Sequence, residues 1–231
     1  MRLLLTPIAP ASLFLAPASL FLAPASLFLA SVFLFLASGS TLLSQDFRVI
    51  RGCPPEGLAT PGTRKADLFI QKAVYKMPHA SELNGQSIEE FLEAGDDTDR
   101  WYEGAAVEMD VFIGDVYAAE TEDCNCKKTG DDMMDTRILM YAQDTDMKKK
   151  YSMVGEVTPR IKALKKSKGL DWSTKALKQF KGKWMRVRGW LLFDWMHSGN
   201  AVNTKPKGKA LWRATAWEFH PLTDIKAIPS N

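Results

Sequence analysis

The stretch AVEMDVFIGDVYAAE, beginning at Ala106, alternates apolar and polar residues over most of its length. Val107, Met109, Val111 and Ile113 fall on one face, and Glu108, Asp110 and Phe112 fall on the other. A period of two belongs to a half-buried strand and cannot satisfy a helix. Gly114 sits inside the run, where a long strand can bend. Further strand signals follow in TRILMYAQ, YSMVGEVTP, WMRVRGWLLFD and RATAWEFHPLTDI, each bounded by turn residues or charge. Between the third and fourth lies IKALKKSKGLDWSTKALKQFKGK, helical in two pieces broken at Gly169. Its second piece places Trp172, Ala176, Leu177 and Phe180 on one stripe.

Three strands, a helix and two strands form a short list of topologies. The element order, with a bent glycine-containing first strand, resembles the OB-fold, a small five-stranded Greek-key barrel. That resemblance covers roughly residues 105–228. The stretches CNC, VTPR, RGWLLFD and WRATAWEFHP also resemble a family of exported bacterial proteins of unassigned function. The resemblance implies export and this fold, and it implies no activity. The competing folds are another small antiparallel barrel and an α+β sandwich.

The first 39 residues are of another kind. They contain one charge, Arg2, and no acid. APASLFL occurs three times in tandem, at Ala9–Leu15, Ala16–Leu22 and Ala23–Leu29, and its prolines forbid one continuous helix. An arginine, an apolar stretch and the small residues Ala37-Ser38-Gly39 are the parts of a secretory signal peptide, here lengthened by repeats. Cleavage is expected near Gly39, which places the mature chain in the periplasm or outside the cell. The competing reading is a retained membrane anchor, because Ala25 to Leu43 is a run of 19 uncharged residues. The expected organisation is a signal peptide over 1–39, a linker with a short helical arm over 40–104, and the barrel over 105–231. In the arm, Ser87 and Glu90 have the spacing of a capping box, with Ile88, Phe91 and Leu92 on one face and Gly95 ending the helix.

Three cysteines cannot all pair within one chain. A bridge from Cys53 to either Cys124 or Cys126 suits an oxidising compartment. A bridge between Cys124 and Cys126 would be strained by its very short loop.

Composition is globular, with 46% hydrophobic and 25% charged residues and a net charge of only +3. Nucleotide-binding loops, catalytic triads and zinc-finger spacings are absent from the sequence, and no cofactor is expected. Charge is nonetheless segregated. Glu82 to Asp146 carries 19 acids and 4 bases, a net of −15, and Met147 to Arg213 carries 18 bases and 3 acids, a net of +15. Neighbouring halves of one barrel neutralise each other more readily than they form opposite poles.

Chemistry is expected in the two longest inter-strand connections, Thr121–Asp135 and Trp195–Leu211, since hairpins need only two to five residues. The first holds Glu122, Asp123, Asp131, Asp132 and Asp135 beside two thiols, a donor set for a divalent cation. The plainer reading is a solvated acidic loop, because Lys127 stands where an EF-hand needs a ligand. The second carries Lys205, Lys207 and Lys209 near Arg213, flanked by Trp195 and Trp212. Basic residues beside aromatics suit an anionic polymer, either single-stranded nucleic acid or an anionic glycan. The expected function is therefore an exported, non-enzymatic binding module that uses these loops to hold an anionic polymer or an envelope protein. The alternative is a metal-assisted hydrolase. Glu218 and His220 project from one face of the last strand, and Asp194 and His197 close the strand before it. Those four would hold the metal, with His197, Glu218 and His220 catalytic.

Overall fold

A computed structural model describes residues 46–228; the repeats, with the signal or anchor they were read as, lie outside the described residues. The described residues belong to one compact unit, Ser44–Asn231. No helix among them is long and apolar enough to cross a membrane.

The alternating segments form strands where the period-2 pattern predicts them. β1 is the short pair Asn84–Gly85. It is followed by β2 (Ala106–Ala118), β3 (Thr136–Tyr141), β4 (Met153–Val157), β5 (Lys183–Phe193) and β6 (Trp217–Ala227). β2 to β6 close into a mixed five-stranded barrel, ordered β2-β3-β4-β6-β5 and back to β2. All contacts around the ring are antiparallel except β4 with β6.

Closure depends on β2 serving two neighbours. Its first part, Ala106–Ile113, pairs with β5, and Phe112–Ala118 pairs with β3. The register slips between Ile113 and Asp115, so Gly114 marks a bulge where the strand changes partner. A Cβ on Gly114 would stand 2.5 Å from the Tyr141 ring, which is why no side chain fits at the bend.

The inward face matches the alternation. Val107, Met109, Val111 and Ile113 meet Ile138, Met140, Val187 and Phe219 in one core. Helix α3 (Pro159–Ser167) follows β4. Thr158 caps it by accepting from Ile161 N, Pro159 occupies its first turn, and Ile161 is buried in the same core. The helical pattern breaks at Gly169, whose φ is +76°, before the short α4 (Thr174–Leu177) capped by Ser173.

Residues 46–104 are not a loose linker. Their helix α1 (Arg64–Lys72) starts at a Thr63 cap and buries Leu68 and Phe69 against Leu192 and Cys124. Helix α2 (Ile88–Leu92) buries Ile88 and Phe91 in the barrel core. Phe91 stacks on Trp101 at 4.2 Å, and Trp101 meets Trp217 edge-on. The Trp217 indole then donates to the Asp97 carbonyl at 2.6 Å. Ser87 does cap α2, but it accepts from Glu89 N, and its hydroxyl meets the Glu89 carboxylate instead of the expected Glu90 closing a box. The helix also stops at Leu92, short of Gly95. A closed capping box occurs instead at the 3-10 turn after His79, with Glu82 reaching back.

Gly189, on β5, reports how tightly the barrel closes. A Cβ there would lie 2.7 Å from the Pro221 carbonyl oxygen and 2.8 Å from the Phe219 ring. Backbone cannot yield as a flexible side chain does, so Gly189→Ala should destabilise by about 1–3 kcal/mol. Urea unfolding measures this, and an unchanged midpoint would mean that β5 and β6 are not packed this closely.

Candidate functional site

Strand alternation sends one set of ionisable side chains out of the barrel. On β3, Ile138 and Met140 face the core, so Arg137 faces outward; on β4, Met153 and Val157 face inward, so Glu156 faces outward. On β6, Trp217 and Phe219 fill the core, and Glu218 and His220 take the other face. Register sets Arg137 opposite Glu156, with Glu218 beside Val154 on the neighbouring strand. Such a row is ordinarily solvated. Here Glu156, Glu218 and His220 are at most 2% exposed, because α1 and the connections 119–135 and 194–216 contribute side chains over them.

The cover supplies the counter-charges. Lys72, at the end of α1, donates to Asp194 at 2.6 Å and lies 3.6 Å from Glu218. Arg213 donates to the other oxygen of Glu218 at 2.8 Å. Arg137 bridges Glu156, at 2.7 Å, and Glu122, at 3.2 Å. His220 Nδ1 donates to Glu218 Oε1 at 3.0 Å and lies 3.1 Å from Glu156 Oε2. His197 Nδ1 donates to Asp194 at 2.9 Å.

Protonation follows from that geometry. Burial raises the Asp194 carboxyl, but Lys72 and the His197 hydrogen bond outweigh it and hold it below the ordinary carboxylate range. Burial likewise raises Glu156 and Glu218, yet Arg137 with His220, and Lys72 with Arg213, bring both down. Burial and Lys72 disfavour the His220 cation, but its two carboxylate partners push its pKa up to about 10. The hydrogen bond to Asp194 raises His197 against its burial. Glu122 has weaker support, and burial beside Glu156 and Asp135 pushes it up to about 7.

A cleft of about 290 Å³ opens onto this network. It is lined by Phe69 and Lys72 of α1, Glu122 and Cys124 of the first long loop, and Asp194 and His197 of the second. Arg137 of β3 completes the wall. A larger groove of about 640 Å³ runs between the arm and α3, but ion pairs already engage its Arg51 with Asp132 and its Lys162 with Asp131.

The expected site residues are distributed unevenly. Lys205, Lys207 and Lys209 are exposed and make no ion pair among the described residues. Arg213 is not on that basic edge: it is 1% exposed and spent on Glu218 and the Thr215 carbonyl. Trp195 and Trp212 are half-buried, with the Arg64 guanidinium over Trp195 at 4.6 Å and that of Arg137 over Trp212 at 5.2 Å. Cys53 is bridged to Cys126, and Cys124 remains a buried thiol.

Asp194, His197, Glu218 and His220 do not form one metal centre. Asp194 pairs with His197 and Glu218 with His220, and Lys72 stands between the two pairs. The groups able to hold an ion among the described residues are Glu122–Cys124–Asp135 and Asp135–Glu156–His220. Glu218 and His220 are at most 2% exposed beneath the cover, although His220 also borders a second cleft of about 380 Å³ beside Lys76 and Trp190. Sequence reasoning missed Lys72, Arg137 and Glu156. The only available signal was that every polar position of WEFHP is ionisable, which is unusual for a solvated strand face.

Removing one partner from a buried pair leaves the others uncompensated. Lys72→Met should therefore destabilise by about 3–5 kcal/mol, whereas Lys65→Met, at a half-exposed pair with Asp123, should cost less than about 1 kcal/mol. The pH profile has a definite sign. The depressed carboxylates give stability that is complete above their unfolded pKa, about 4, and is lost as pH falls through their lower folded values. The raised His220 gives stability complete below about 6.5 and lost as pH climbs toward 10. Urea midpoints across pH should show both limbs, and His220→Gln should flatten the alkaline one. A comparison of the chain with protein-family models, curated proteins and solved structures finds no match, so this chemistry alone identifies the site.

Proposed function

We propose that this chain is an exported, non-enzymatic binding module built on an OB-type Greek-key barrel, and that it holds an anionic polymer along the rim formed by its two long loops. The strand order, the parallel β4–β6 pair and a helix after the third barrel strand support the OB assignment. The observation that carries the binding reading is that both long loops line one cleft, and that the second of them also carries Lys205, Lys207 and Lys209, exposed and free of ion pairs among the described residues.

The ligand is held by charge more than by stacking. One face of Trp195 and one face of Trp212 are covered by guanidinium groups, and both rings are half-buried. That favours an anionic glycan over single-stranded nucleic acid, whose bases need open ring faces. A hydrolase built on His197, Glu218 and His220 gains no support, because two of the three are sealed in ion pairs.

Binding to an anionic glycan, single-stranded DNA and RNA across a salt series tests the reading. Affinity should fall as salt rises, and changing Lys205, Lys207 and Lys209 to glutamate should weaken it steeply. Trp195→Ala and Trp212→Ala should each cost less than the roughly 1–3 kcal/mol of a stacked base. If no polymer binds, or if the triple reversal leaves affinity unchanged, the lysines are a solvated tip.

Export rests on the signal-like N-terminus and on a Cys53–Cys126 bridge suited to an oxidising compartment. Protein recovered from the envelope or the medium should begin near Ser40 by N-terminal sequencing. Membrane-bound protein that keeps Met1 would establish an anchor instead.

A further inference from the structure

The covered face of the barrel contains one carboxylate oxygen that no group in the network serves and a second that only a shared histidine approaches. Asp135 is 1% exposed; its Oδ1 accepts from the Asn125 amide at 3.1 Å, and its Oδ2 has no hydrogen-bond partner. Glu156 is also 1% exposed. Its Oε1 is held by Arg137, whereas its Oε2 lies 3.1 Å from His220 Nδ1, whose one proton is hydrogen-bonded to Glu218 instead. A buried acceptor left open costs about 1–3 kcal/mol, and more for a charged group. The open oxygen of Asp135 therefore calls for a partner.

The neighbours of these oxygens are metal donors. The ligand atoms of Glu122, Cys124 and Asp135 lie within 4.8 Å of one another, and so do those of Asp135, Glu156 and His220. Asp135 belongs to both groups and joins them. Cys124 Sγ sits 3.3 Å from Glu122 Oε2, and Arg137 occupies the other oxygen of Glu122. Disulfide formation by Cys126 with Cys53 leaves Cys124 as the one thiol of the loop, turned inward and 4% exposed.

We propose that Cys124, Glu122 and Asp135 form a site for a divalent cation of the zinc class, seated at the floor of the cleft. One sulfur and two oxygens leave the fourth position of a tetrahedral zinc for solvent, and the thiol argues against calcium or magnesium. The cation forms a bond to sulfur as the thiol proton leaves to solvent, so binding releases a proton. Glu122 and Cys124 line the cleft, which gives the ion a path from solvent. Arg137 holds the remaining oxygen of Glu122, fixing the orientation of that carboxylate as an outer shell does. This site is distinct from the lysine rim and does not rest on polymer binding.

The test uses the full chain with its disulfide intact, freed of metal by a chelator and titrated calorimetrically with zinc chloride. One zinc per chain should bind, with proton release and a raised thermal midpoint. Cobalt chloride should give a thiolate-to-metal charge-transfer band that Cys124→Ser abolishes. Cys124→Ser and the isosteric Asp135→Asn should each weaken zinc binding by about tenfold or more, with the exposed Asp144→Asn as an unchanged control. If circular dichroism shows Cys124→Ser unfolded, Asp135→Asn decides alone. Failure of the native chain to bind zinc overturns the proposal. So does equal binding by native chain and folded variants, which would mark an adventitious ion.

Discussion

Lys72 enters a patch of carboxylates that no barrel strand can neutralise by itself. Asp194 and Glu218 lie within 4 Å of its ammonium group, and all three side chains are at most 5% exposed. Bringing those charges out of water is unfavourable unless each finds an opposite charge in good geometry. The cation comes from α1, outside the barrel, and the acids come from β6 and the end of β5. Arm and barrel are therefore one electrostatic unit: without the arm the carboxylates lose a counter-charge, and without the barrel the lysine has no reason to be buried.

The same dependence explains why the arm does not behave as a linker. It is fixed to the barrel by three kinds of interaction along its length. The Cys53–Cys126 bridge ties its start to the first long loop, Lys72 locks its helix, and the Phe91–Trp101–Trp217 stack sets its end into the core. The bridge acts mainly by limiting the unfolded chain, the ion pair by specifying position, and the stack by burial of aromatic area. Arg160 adds a fourth contact, donating to the carbonyls of Arg48 and Pro54.

The barrel was legible in the sequence because its core positions repeat at period two. Val107 to Ile113 announce a strand whatever surrounds them, and Gly114 announces its bend. The site was far less legible. Arg137 and Glu156 stand at positions that the alternation assigns to solvent, and only the arm lying over them converts a wet face into a buried network. Arg213 was misplaced for the same reason. Its neighbours in sequence are lysines, but its partner, Glu218, lies on the next strand. Glu122, Cys124 and Asp135 were visible as candidates for a cation loop, yet Glu156, the carboxylate beside Asp135, comes from a strand that no local spacing connects to it.

Covering the outward face of β3, β4 and β6 also decides where a ligand can go. In an open barrel of this kind, that face would itself be a binding surface. Here α1 and the two long loops occupy it, and what remains are clefts of about 290 and 380 Å³, too small for a polymer to enter. The proposed polymer would therefore lie outside these clefts, along the loop where Lys205, Lys207 and Lys209 are exposed, while the floor of the smaller cleft suits only an ion or a small group. The two proposed sites follow from this division. Unpaired lysines on an exposed tip can exchange counterions with a long anion, and an unserved carboxylate oxygen beside a buried thiol can hold a single cation. The cover that neutralises the face thus separates a surface for charge along a chain from a chamber for charge at a point.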